Sequence, residues 1–296
     1  MLLLVTTAGD GTSDRIVSRL GDFVFRYNFD QASSYIGHLD LAGWELQNPV
    51  GRKITSAAAT AGMWWKAFSA SAPFEDRFLR AETKYTFKEY YSWFRIRGLV
   101  RGNPPDFHEK FGKLTVLSLA KRYFPVPKTV ATWGLHAEST VPAENRVVKS
   151  LTSGLMDNGR TLFTTDVSGK ALDPSFPWFI QEKVDATDDI TVFQVREKFF
   201  AFNRSRSNLQ GLDWRAEQNF DPDVDEWLPF ELTSAQASNL RSLSQDLGVE
   251  WGRYDLMLKR SGELIFLEFN ANGQWVFLDY HEQYGLMDAV ADYLTT

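Results

Sequence analysis

Residues 252–275 read GRYDLMLKRSGELIFLEFNANGQW, and this stretch decides how the rest of the chain is interpreted. Two apolar-rich segments flank Ser261 and Gly262, which form a plausible two-residue β-turn. Such a turn pairs Arg260 with Glu263 and fixes the register of the strands on either side. A loop longer by two residues keeps the same register. The stretch therefore predicts an antiparallel hairpin.

The predicted register has a chemical consequence, because it places Asp255 opposite Glu268. Directly opposed residues have Cβ atoms roughly 4.5–5.5 Å apart on one face of the sheet. Asn270 follows Glu268 by two residues and points to the same face. Two facing carboxylates repel, and a divalent cation such as Mg²⁺ would resolve the conflict. A solvent-facing sheet with incidental acids is the other interpretation, and the hairpin alone leaves both open.

The composition excludes several classes of function. The 296 residues carry a net charge of −6, so a whole-surface attraction to nucleic acid or anionic lipid is not expected. There is no cysteine, which excludes disulfides, thiolate catalysis and cysteine-based metal sites. No apolar run approaches the roughly 18–20 residues that a membrane span needs, and the apolar start is too short for a signal peptide. We therefore expect a cytoplasmic protein with no membrane or nucleic-acid partner.

Strand and helix patterns are mixed along the chain, which is typical of an α/β (α+β) fold. The opening is a β-α-β unit, in which Thr12 or Ser13 caps the first helix and Gly21 ends it. Its Gly-Asp-Gly turn is read as a plain turn rather than as a phosphate site. Further strands are predicted over 128–133, 146–149, 179–184, 253–259 and 263–270, and a hairpin that turns near residues 196–198 is predicted over 190–202. Further helices are predicted over 75–97, 107–124, 233–247 and 286–294.

Several short motifs accompany the hairpin. Residues 267–275, LEFNANGQW, are similar to a Glu-x-Asn-Pro-Asn-Gly-Gln-Trp signature, and residues 252–256, GRYDL, to a Gly-x-x-Asp-Leu strand. Asp213-Trp214-Arg215 matches an Asp-Trp-Arg motif, and residues 126–129 match a Val-Pro-Lys/Asp-Thr motif. Together they resemble the motifs of ATP-grasp ligases, in particular of the graspetide or microviridin-type synthetases that macrocyclise ribosomal peptides.

The resemblance implies an ATP-grasp fold preceded by an N-terminal pre-ATP-grasp βα domain. It divides the chain into a pre-ATP-grasp domain (1–104), a central small ATP-grasp subdomain (105–177) and a C-terminal ATP-grasp subdomain with a magnesium site (178–296). Two residues depart from the family pattern. Ala271 replaces a proline, and Thr191 stands where many ATP-grasp enzymes carry arginine after Asp-Ile.

The resemblance also implies ATP and Mg²⁺ as cofactors. Asp255, Glu268 and Asn270 match the metal ligands. Lys113 and Lys149 match the two phosphate-binding lysines, although a solvated helix lysine and an exposed strand-end lysine are the simpler interpretations. The hinge that reads adenine through backbone groups matches Gln181, Glu182, Lys183 and Val184, which could also form an ordinary edge strand.

Three further residues are candidates for catalysis. Arg204 and Arg215 offer planar sets of donors that suit the γ-phosphate and the acyl phosphate that it becomes. Either could instead be a surface ion-pair residue. Asp189 could lie near the ribose, or could be the partner of a catalytic arginine.

The function that the resemblance implies is macrocyclisation of a precursor peptide that has a leader and a core rich in Thr/Ser and Asp/Glu. An Asp or Glu side chain is activated as an acyl phosphate and joined to Thr, Ser or Lys. Two alternatives stay open: a ligase acting on an amino acid, small molecule or protein terminus, and a non-catalytic nucleotide-binding scaffold. The resemblance also implies a homodimer. The aromatic stretches at 44–65 and 85–93 could supply its interface or could be core.

Overall fold

The computed structural model describes residues 1–65, 74–134, 141–152, 163–207, 209, 211–212 and 227–296. The chain forms two compact units, each assembled from more than one segment. Unit 1 comprises Met1–Phe107, Glu250–Gly252 and Ala271–Thr296, and unit 2 comprises His108–Val249 and Arg253–Asn270. The C-terminal segment therefore belongs to the same compact unit as the N-terminal one. The three-domain division stays a prediction.

Strands and helices are mixed along the described residues. The strands are β1 (Leu2–Thr6), β2 (Val24–Asn28), β3 (Ile36–Leu39), β4 (Trp44–Gln47), β5 (Lys53–Thr55), β6 (Ala61–Trp64), β7 (Val100–Arg101), β8 (Thr129–Thr132), β9 (Arg146–Lys149), β10 (Thr165–Asp166), β11 (Trp178–Glu182), β12 (Asp188–Val195), β13 (Lys198–Ser205), β14 (Leu228–Pro229), β15 (Trp251–Leu258) and β16 (Leu264–Asn270). The helices are α1 (Gly11–Leu20), α2 (Arg77–Ile96), α3 (Phe107–Lys110), α4 (Lys113–Ala120), α5 (Ser234–Leu247) and α6 (Leu286–Thr295). The mixed α/β class is thereby confirmed. Within the described ranges, no helix is both long and apolar enough to cross a membrane.

The first sheet of unit 1 is parallel. All residues of β1 are buried, which is the pattern of a strand covered on both faces. It pairs in parallel with β2 and β6, and β7 extends the sheet beyond β6. A separate antiparallel sheet has the order β3-β4-β5. The predicted β-α-β opening is confirmed.

The start of α1 differs from the prediction. Asp10, not Thr12 or Ser13, is the N-cap, and its carboxylate accepts a hydrogen bond from the Ser13 N–H at 2.7 Å. The same carboxylate accepts bonds from the Trp65 indole at 3.1 Å and from the Gln274 amide at 3.0 Å. A carboxylate already occupies this helix N-terminus, which agrees with the interpretation of the Gly-Asp-Gly turn as a plain turn.

Aromatic side chains form the core of unit 1. Trp44 packs edge-to-face on Tyr90 of α2 at a centroid distance of 5.4 Å, and Trp64 packs similarly on Phe94 at 5.5 Å. These four rings are at most 4% exposed. Trp44, Trp64 and Tyr90 belong to the two aromatic stretches for which core and interface were both open, and their burial assigns these three rings to the core.

Unit 2 begins with α3, α4 and an antiparallel sheet of order β10-β9-β11-β8. The prediction of a single helix over 107–124 is wrong, because the helical conformation is interrupted between α3 and α4. Gly112 takes an extended conformation and is the N-cap of α4. Glycine costs about 1 kcal/mol in a helix interior, so a break at this position is inexpensive. Leu114, which the apolar spacing of a single helix would bury, is 40% exposed.

The second sheet of unit 2 has the order β14-β13-β12-β15-β16. Helix α5 has the predicted limits. Thr233 caps its N-terminus in a reciprocal pair with Gln236, and Gly248 ends it in the left-handed conformation. The strand order places β12 beside β15, although β12 and β15 are far apart in the sequence. This neighbourhood determines which side chains meet on the sheet surface.

The β15–β16 hairpin keeps the predicted pairing of its acids by a different route. The pairing of Arg260 with Glu263 is wrong. The Lys259 N–H instead donates to the Glu263 carbonyl, and Gly262 closes a three-residue loop with φ 85°. A bulge between Asp255 and Leu256 then takes up one residue. Beyond the bulge the predicted register returns, and it places Asp255 opposite Glu268.

Candidate active site

A cavity in unit 2 is lined by residues from both of its sheets. The smaller sheet contributes Lys149 of β9 and the segment 181–184 on and after β11. The larger sheet contributes side chains from three neighbouring strands: Asp189, Thr191, Arg253, Asp255 and Glu268. The predicted hinge, one predicted phosphate lysine and the predicted metal carboxylates therefore lie around one cavity.

The paired carboxylates converge on one amide. The Asn270 Nδ2 donates to the Asp255 Oδ2 at 2.7 Å and to the Glu268 Oε1 at 3.2 Å. Like charges directly opposite each other destabilise a sheet, and the amide protons between them offset part of that cost. A divalent cation prefers oxygen ligands of this kind. One oxygen of each carboxylate approaches the Asn270 side chain, so the oxygens of these three side chains fit a magnesium ion as ligands.

Asp255 is also bonded from two neighbouring positions. The Thr191 hydroxyl on β12 donates to its Oδ1 at 3.2 Å, and the Arg253 Nη2 on β15 donates to its Oδ2 at 2.9 Å. Thr191 and Arg253 are 4% and 8% exposed. Arg253 belongs to the motif at residues 252–256, but the sequence analysis did not predict it as a site residue. Its position two residues before Asp255, on the same strand face, was the available signal.

Lys113, one of the two predicted phosphate lysines, lies beside the acid pair. The Lys113 Nζ, in the first turn of α4, donates to the Ser150 carbonyl at 2.7 Å and lies 3.9 Å from the Glu268 Oε2. Ser150 directly follows Lys149, which lines the cavity. The lysines, predicted from separate segments, are thus brought to the same region. Lys113 is not a fully solvated helix lysine, because its side chain is 29% exposed.

His108 is a neighbour of this group that sequence reasoning missed. Burial lowers the pKa of His108, the positive charge of Lys113 lowers it further, and Glu268 raises it. Its imidazole is therefore neutral at pH 7. The sequence carried no signal for this placement, since nothing in it shows that the chain turns between His108 and Lys113.

The predicted hinge is an interior strand of its sheet, so the edge-strand alternative is wrong. β11 lies between β9 and β8. Gln181 is buried, and its Nε2 donates to the Thr129 hydroxyl at 3.1 Å. The Lys183 ammonium donates to the Asp166 carboxylate at 2.9 Å. Hydrogen bonds from Ser168, and then from Lys183, hold the pKa of Asp166 well below its usual range.

Asp189 is paired with an arginine that was not predicted. The Arg206 Nη1 lies 2.7 and 2.8 Å from its two carboxylate oxygens, and both side chains are 13% exposed. Burial raises the pKa of Asp189, whereas the charge and hydrogen bonds of Arg206 lower it. Arg204 stands opposite Asp189 in the β12–β13 register. The alternation of Arg204 and Arg206 on one face was the available signal. Arg215 lies outside the described residues.

Comparison with known proteins gives a consistent result at the level of structure. No protein-family model and no curated protein matches the sequence. The macrocyclase MdnC bound with precursor peptide MdnA, from Microcystis aeruginosa MRC, is similar with a TM-score of 0.78 and 19% identity, over 100% of this chain and 99% of that chain. A Chryseobacterium gregarium RiPP-associated ATP-grasp ligase, in complex with ADP and a leader and core peptide, is similar with a TM-score of 0.75 and 18% identity, over 99% and 96%.

A third solved structure, the ATP-grasp ligase PsnB complexed with a minimal precursor, gives a TM-score of 0.74 at 14% identity, over 99% of this chain and 97% of that chain. The likenesses cover both units and almost the full length of each compared protein. The chain therefore has the ATP-grasp ligase fold along its whole length.

Proposed function

We propose that this chain is an ATP-dependent ligase that forms macrocycles between side chains of a ribosomal precursor peptide. One observation carries the proposal. A single cavity, in a chain with the ATP-grasp fold, gathers a hinge strand, Lys149 and the opposed carboxylates of Asp255 and Glu268. These are the parts that a phosphoryl-transfer site needs, namely base recognition, phosphate binding and a metal position.

Asp255, Glu268 and Asn270 would hold Mg²⁺. The carboxylates supply oxygen ligands directly, and rotation of the Asn270 amide exchanges its Nδ2 for its Oδ1. When bound, the ion supplies positive charge to the phosphate oxygens of ATP. The two acids also gain from the ion, because it replaces a repulsion with two attractions.

The other predicted residues would take the following roles. Lys149 and Lys113 would bind phosphate oxygens, and residues 181–184 would bind adenine through backbone groups. Arg204 and Arg215 would bind the acyl phosphate. Asp189 would position Arg206, whose guanidinium it holds through both carboxylate oxygens. Positioning of this kind supplies much of the rate in phosphoryl transfer.

The reaction has two balanced steps. A carboxylate oxygen of an Asp or Glu side chain in the peptide attacks the γ-phosphorus of ATP, which gives an acyl phosphate and ADP. A Thr or Ser hydroxyl, or a Lys amine, then attacks the acyl carbon, and inorganic phosphate leaves as the ester or amide forms. No protein nucleophile takes part, which suits a chain without cysteine.

The charge of the chain bears on how the peptide is bound. The net charge is −6, and a core rich in Asp and Glu is also acidic, so long-range attraction does not drive binding. A separate leader segment would therefore supply most of the affinity through apolar and backbone contacts. We also propose a homodimer. A cytoplasmic location stays a prediction.

Two alternatives are distinguished by substrate. A ligase that acts on an amino acid, small molecule or protein terminus would hydrolyse ATP with that acceptor and need no leader. A nucleotide-binding scaffold would bind ATP without turnover. The opposed acids and the two lysines favour an enzyme, because a scaffold has no need to keep the repulsion between Asp255 and Glu268.

The test is co-expression with a short precursor that is rich in Thr and Asp/Glu and encoded beside the gene, followed by mass spectrometry. Each ring formed removes one water. We expect processing of the leader-bearing peptide and little processing of the isolated core. Glu268→Gln should abolish the water loss, whereas Glu263→Gln, at the exposed tip of the same hairpin, should not. If a free amino acid stimulates phosphate release as well as the precursor does, the macrocyclase proposal fails.

A further inference from the structure

Arg253 is a charged side chain inside the cavity that the proposed function does not yet use. Only 8% of the residue is exposed, and its guanidinium bonds the Asp255 carboxylate at 2.9 Å. It lies on the same strand face as Asp255, and both residues line the cavity together with Lys149. Burying a guanidinium is costly unless it is paired. The buried charge of Arg253 is therefore a candidate for a role in binding.

The neighbouring strand carries no cation at the equivalent place. Thr191 of β12 bonds the other oxygen of Asp255 at 3.2 Å, so Thr191 and Arg253 hold this carboxylate from two sides. Thr191 is also the residue that replaces an arginine of the motif described above. A threonine hydroxyl is short and neutral. The positive charge beside Asp255 therefore comes from β15 instead of β12.

The other guanidinium that lines this cavity is already committed. Arg206 bonds both oxygens of Asp189, a partner of its own that is equally buried. Arg253 differs, because its partner Asp255 is a proposed metal ligand. A guanidinium has five N–H donors in a planar fork. A phosphate oxygen in the cavity would therefore be bound by the same guanidinium that bonds Asp255 through its Nη2.

We propose that Arg253 binds the terminal phosphates of the nucleotide and takes the place of the arginine that is missing at position 191. This inference rests on the proposed function, since it assumes that ATP occupies the cavity. A guanidinium next to a metal carboxylate can bind a phosphate oxygen at the same time as the ion does. Arginine is suited to this task because its fork matches two phosphate oxygens at once.

The first test measures nucleotide binding by calorimetry, with AMP, ADP and AMPPNP as probes in the presence of Mg²⁺. Arg253→Met should weaken AMPPNP binding about tenfold, the equivalent of one charge-assisted hydrogen bond, and leave AMP binding within about twofold. The AMPPNP affinity of Arg253→Lys should lie between those of the unmodified chain and Arg253→Met, since lysine keeps the charge and lacks the planar set of donors. Arg260→Met, in the exposed turn of the same hairpin, is the matched control and should bind all three probes as the unmodified chain does.

The second test moves the charge. Thr191→Arg combined with Arg253→Met should recover AMPPNP affinity to within about threefold of the unmodified chain, because the guanidinium returns to the same cavity from β12. Thermal unfolding of each variant verifies that it is folded. Equal weakening of AMP and AMPPNP by Arg253→Met, or no recovery in the folded double variant, would overturn the inference. Absence of nucleotide binding by the unmodified chain would instead overturn the proposed function.

Discussion

The carboxylates of the two units differ in what surrounds them. In unit 1, Asp279 is 5% exposed, and its oxygens accept hydrogen bonds from the backbone N–H groups of Gln283, Tyr284 and Leu286. In unit 2, Asp255 and Glu268 face each other and share the amide of Asn270. The first carboxylate is matched by neutral backbone donors, whereas the second pair holds two like charges opposite each other beside the charged side chains of Arg253 and Lys113.

The contrast separates an acid that serves the fold from acids held for chemistry. Asp279 stabilises the loop before α6, because it satisfies N–H groups that would otherwise be buried without partners. The acid pair differs, since its mutual repulsion is offset by the charged side chains of the site, Arg253 and Lys113, rather than by the N–H groups of a loop. Replacing Asp279 should therefore lower the free energy of unfolding, whereas replacing an acid of the pair should lower the rate of turnover.

The largest effect is expected for Glu268→Gln. The change removes one negative charge with little change in shape, so phosphate release should fall by about 10²–10³-fold, as when one electrostatic contact to a transition state is lost. The free energy of unfolding without Mg²⁺ should stay equal or rise by about 0.2–1 kcal/mol, because a like-charge pair is relieved. Steady-state kinetics and denaturant unfolding measure the two quantities. Near-normal turnover would reject the metal assignment.

Arg206→Met tests the buried ion pair between Arg206 and Asp189. Removing one partner of a buried ion pair should cost about 3–5 kcal/mol near pH 7. Burial raises the pKa of Asp189, and loss of Arg206 raises it further, because Arg206 lowers it in the unmodified chain. The folded variant then holds the Asp189 proton to a higher pH than the unfolded chain does. Its deficit in stability should therefore grow as the pH rises through that pKa, and shrink on acidification.

Denaturant unfolding of the unmodified chain and of Arg206→Met, compared between pH 5 and 8, measures this deficit. The double variant Asp189→Asn with Arg206→Met is the control, since it has no carboxyl at this position, so the pH dependence that Asp189 gives to Arg206→Met should be absent from its own free energy of unfolding. A deficit that is the same at every pH in Arg206→Met would contradict the assignment of Asp189 as the titrating partner.

Asp279→Ala should cost about 3 kcal/mol of stability, because several buried N–H donors lose a charged acceptor. Asp279→Asn keeps one oxygen and should recover part of the loss. Nucleotide affinity of the folded fraction should stay unchanged. Tryptophan fluorescence during denaturant unfolding reports the stability, and calorimetry reports the binding. A loss of stability no larger than that of Glu268→Gln would erase the distinction between the two kinds of acid.

The smallest effect is expected for the lysines beside the acid pair. Lys149→Met and Lys113→Met keep an apolar stem and remove a point charge, so each should weaken ATP binding about tenfold, the equivalent of one charge-assisted hydrogen bond. Lys170→Met is a suitable control, because Lys170 is exposed in a loop of the same unit. Unchanged affinity in both variants would reject this location for the phosphates.

Local signals predicted much of the fold. The opening strand of the predicted β-α-β unit is present, because a short apolar run beside a turn is a local signal. Helix α5 begins after Thr233 and ends before Gly248, because a capping side chain and a left-handed glycine are chemical stop signals within the sequence itself. These elements depend on neighbours a few residues away.

Features that depend on distant contacts were not predictable in this way. The apolar spacing over 107–124 suggested one helix, but the break at Gly112 lets Lys113 begin a new one. The hairpin turn was misplaced by one residue, and the bulge between Asp255 and Leu256 restored the register. A bulge leaves almost no trace in an alternating pattern. The acids are paired as predicted because the one-residue error in the turn and the unpredicted bulge compensate each other.

The candidate site was predictable to the extent that its residues belong to motifs. Asp255, Glu268 and Lys149 lie around the cavity that the resemblance implied. Arg206 and Arg253 were missed, because which charged side chain faces the cavity depends on the order of strands in the sheet. The adjacency of β12 and β15 joins segments that are distant in sequence, and no local pattern reports it.

The composition of unit 1 from both ends of the sequence has a consequence for synthesis on the ribosome. Tyr293 of α6 stacks on Trp251 at 5.2 Å, and its backbone carbonyl accepts a hydrogen bond from Arg101. The strands of unit 2 leave the ribosome before those contacts can form. Vectorial folding, in which N-terminal parts fold first, therefore cannot complete unit 1. A nascent chain stalled before that helix would lack these contacts.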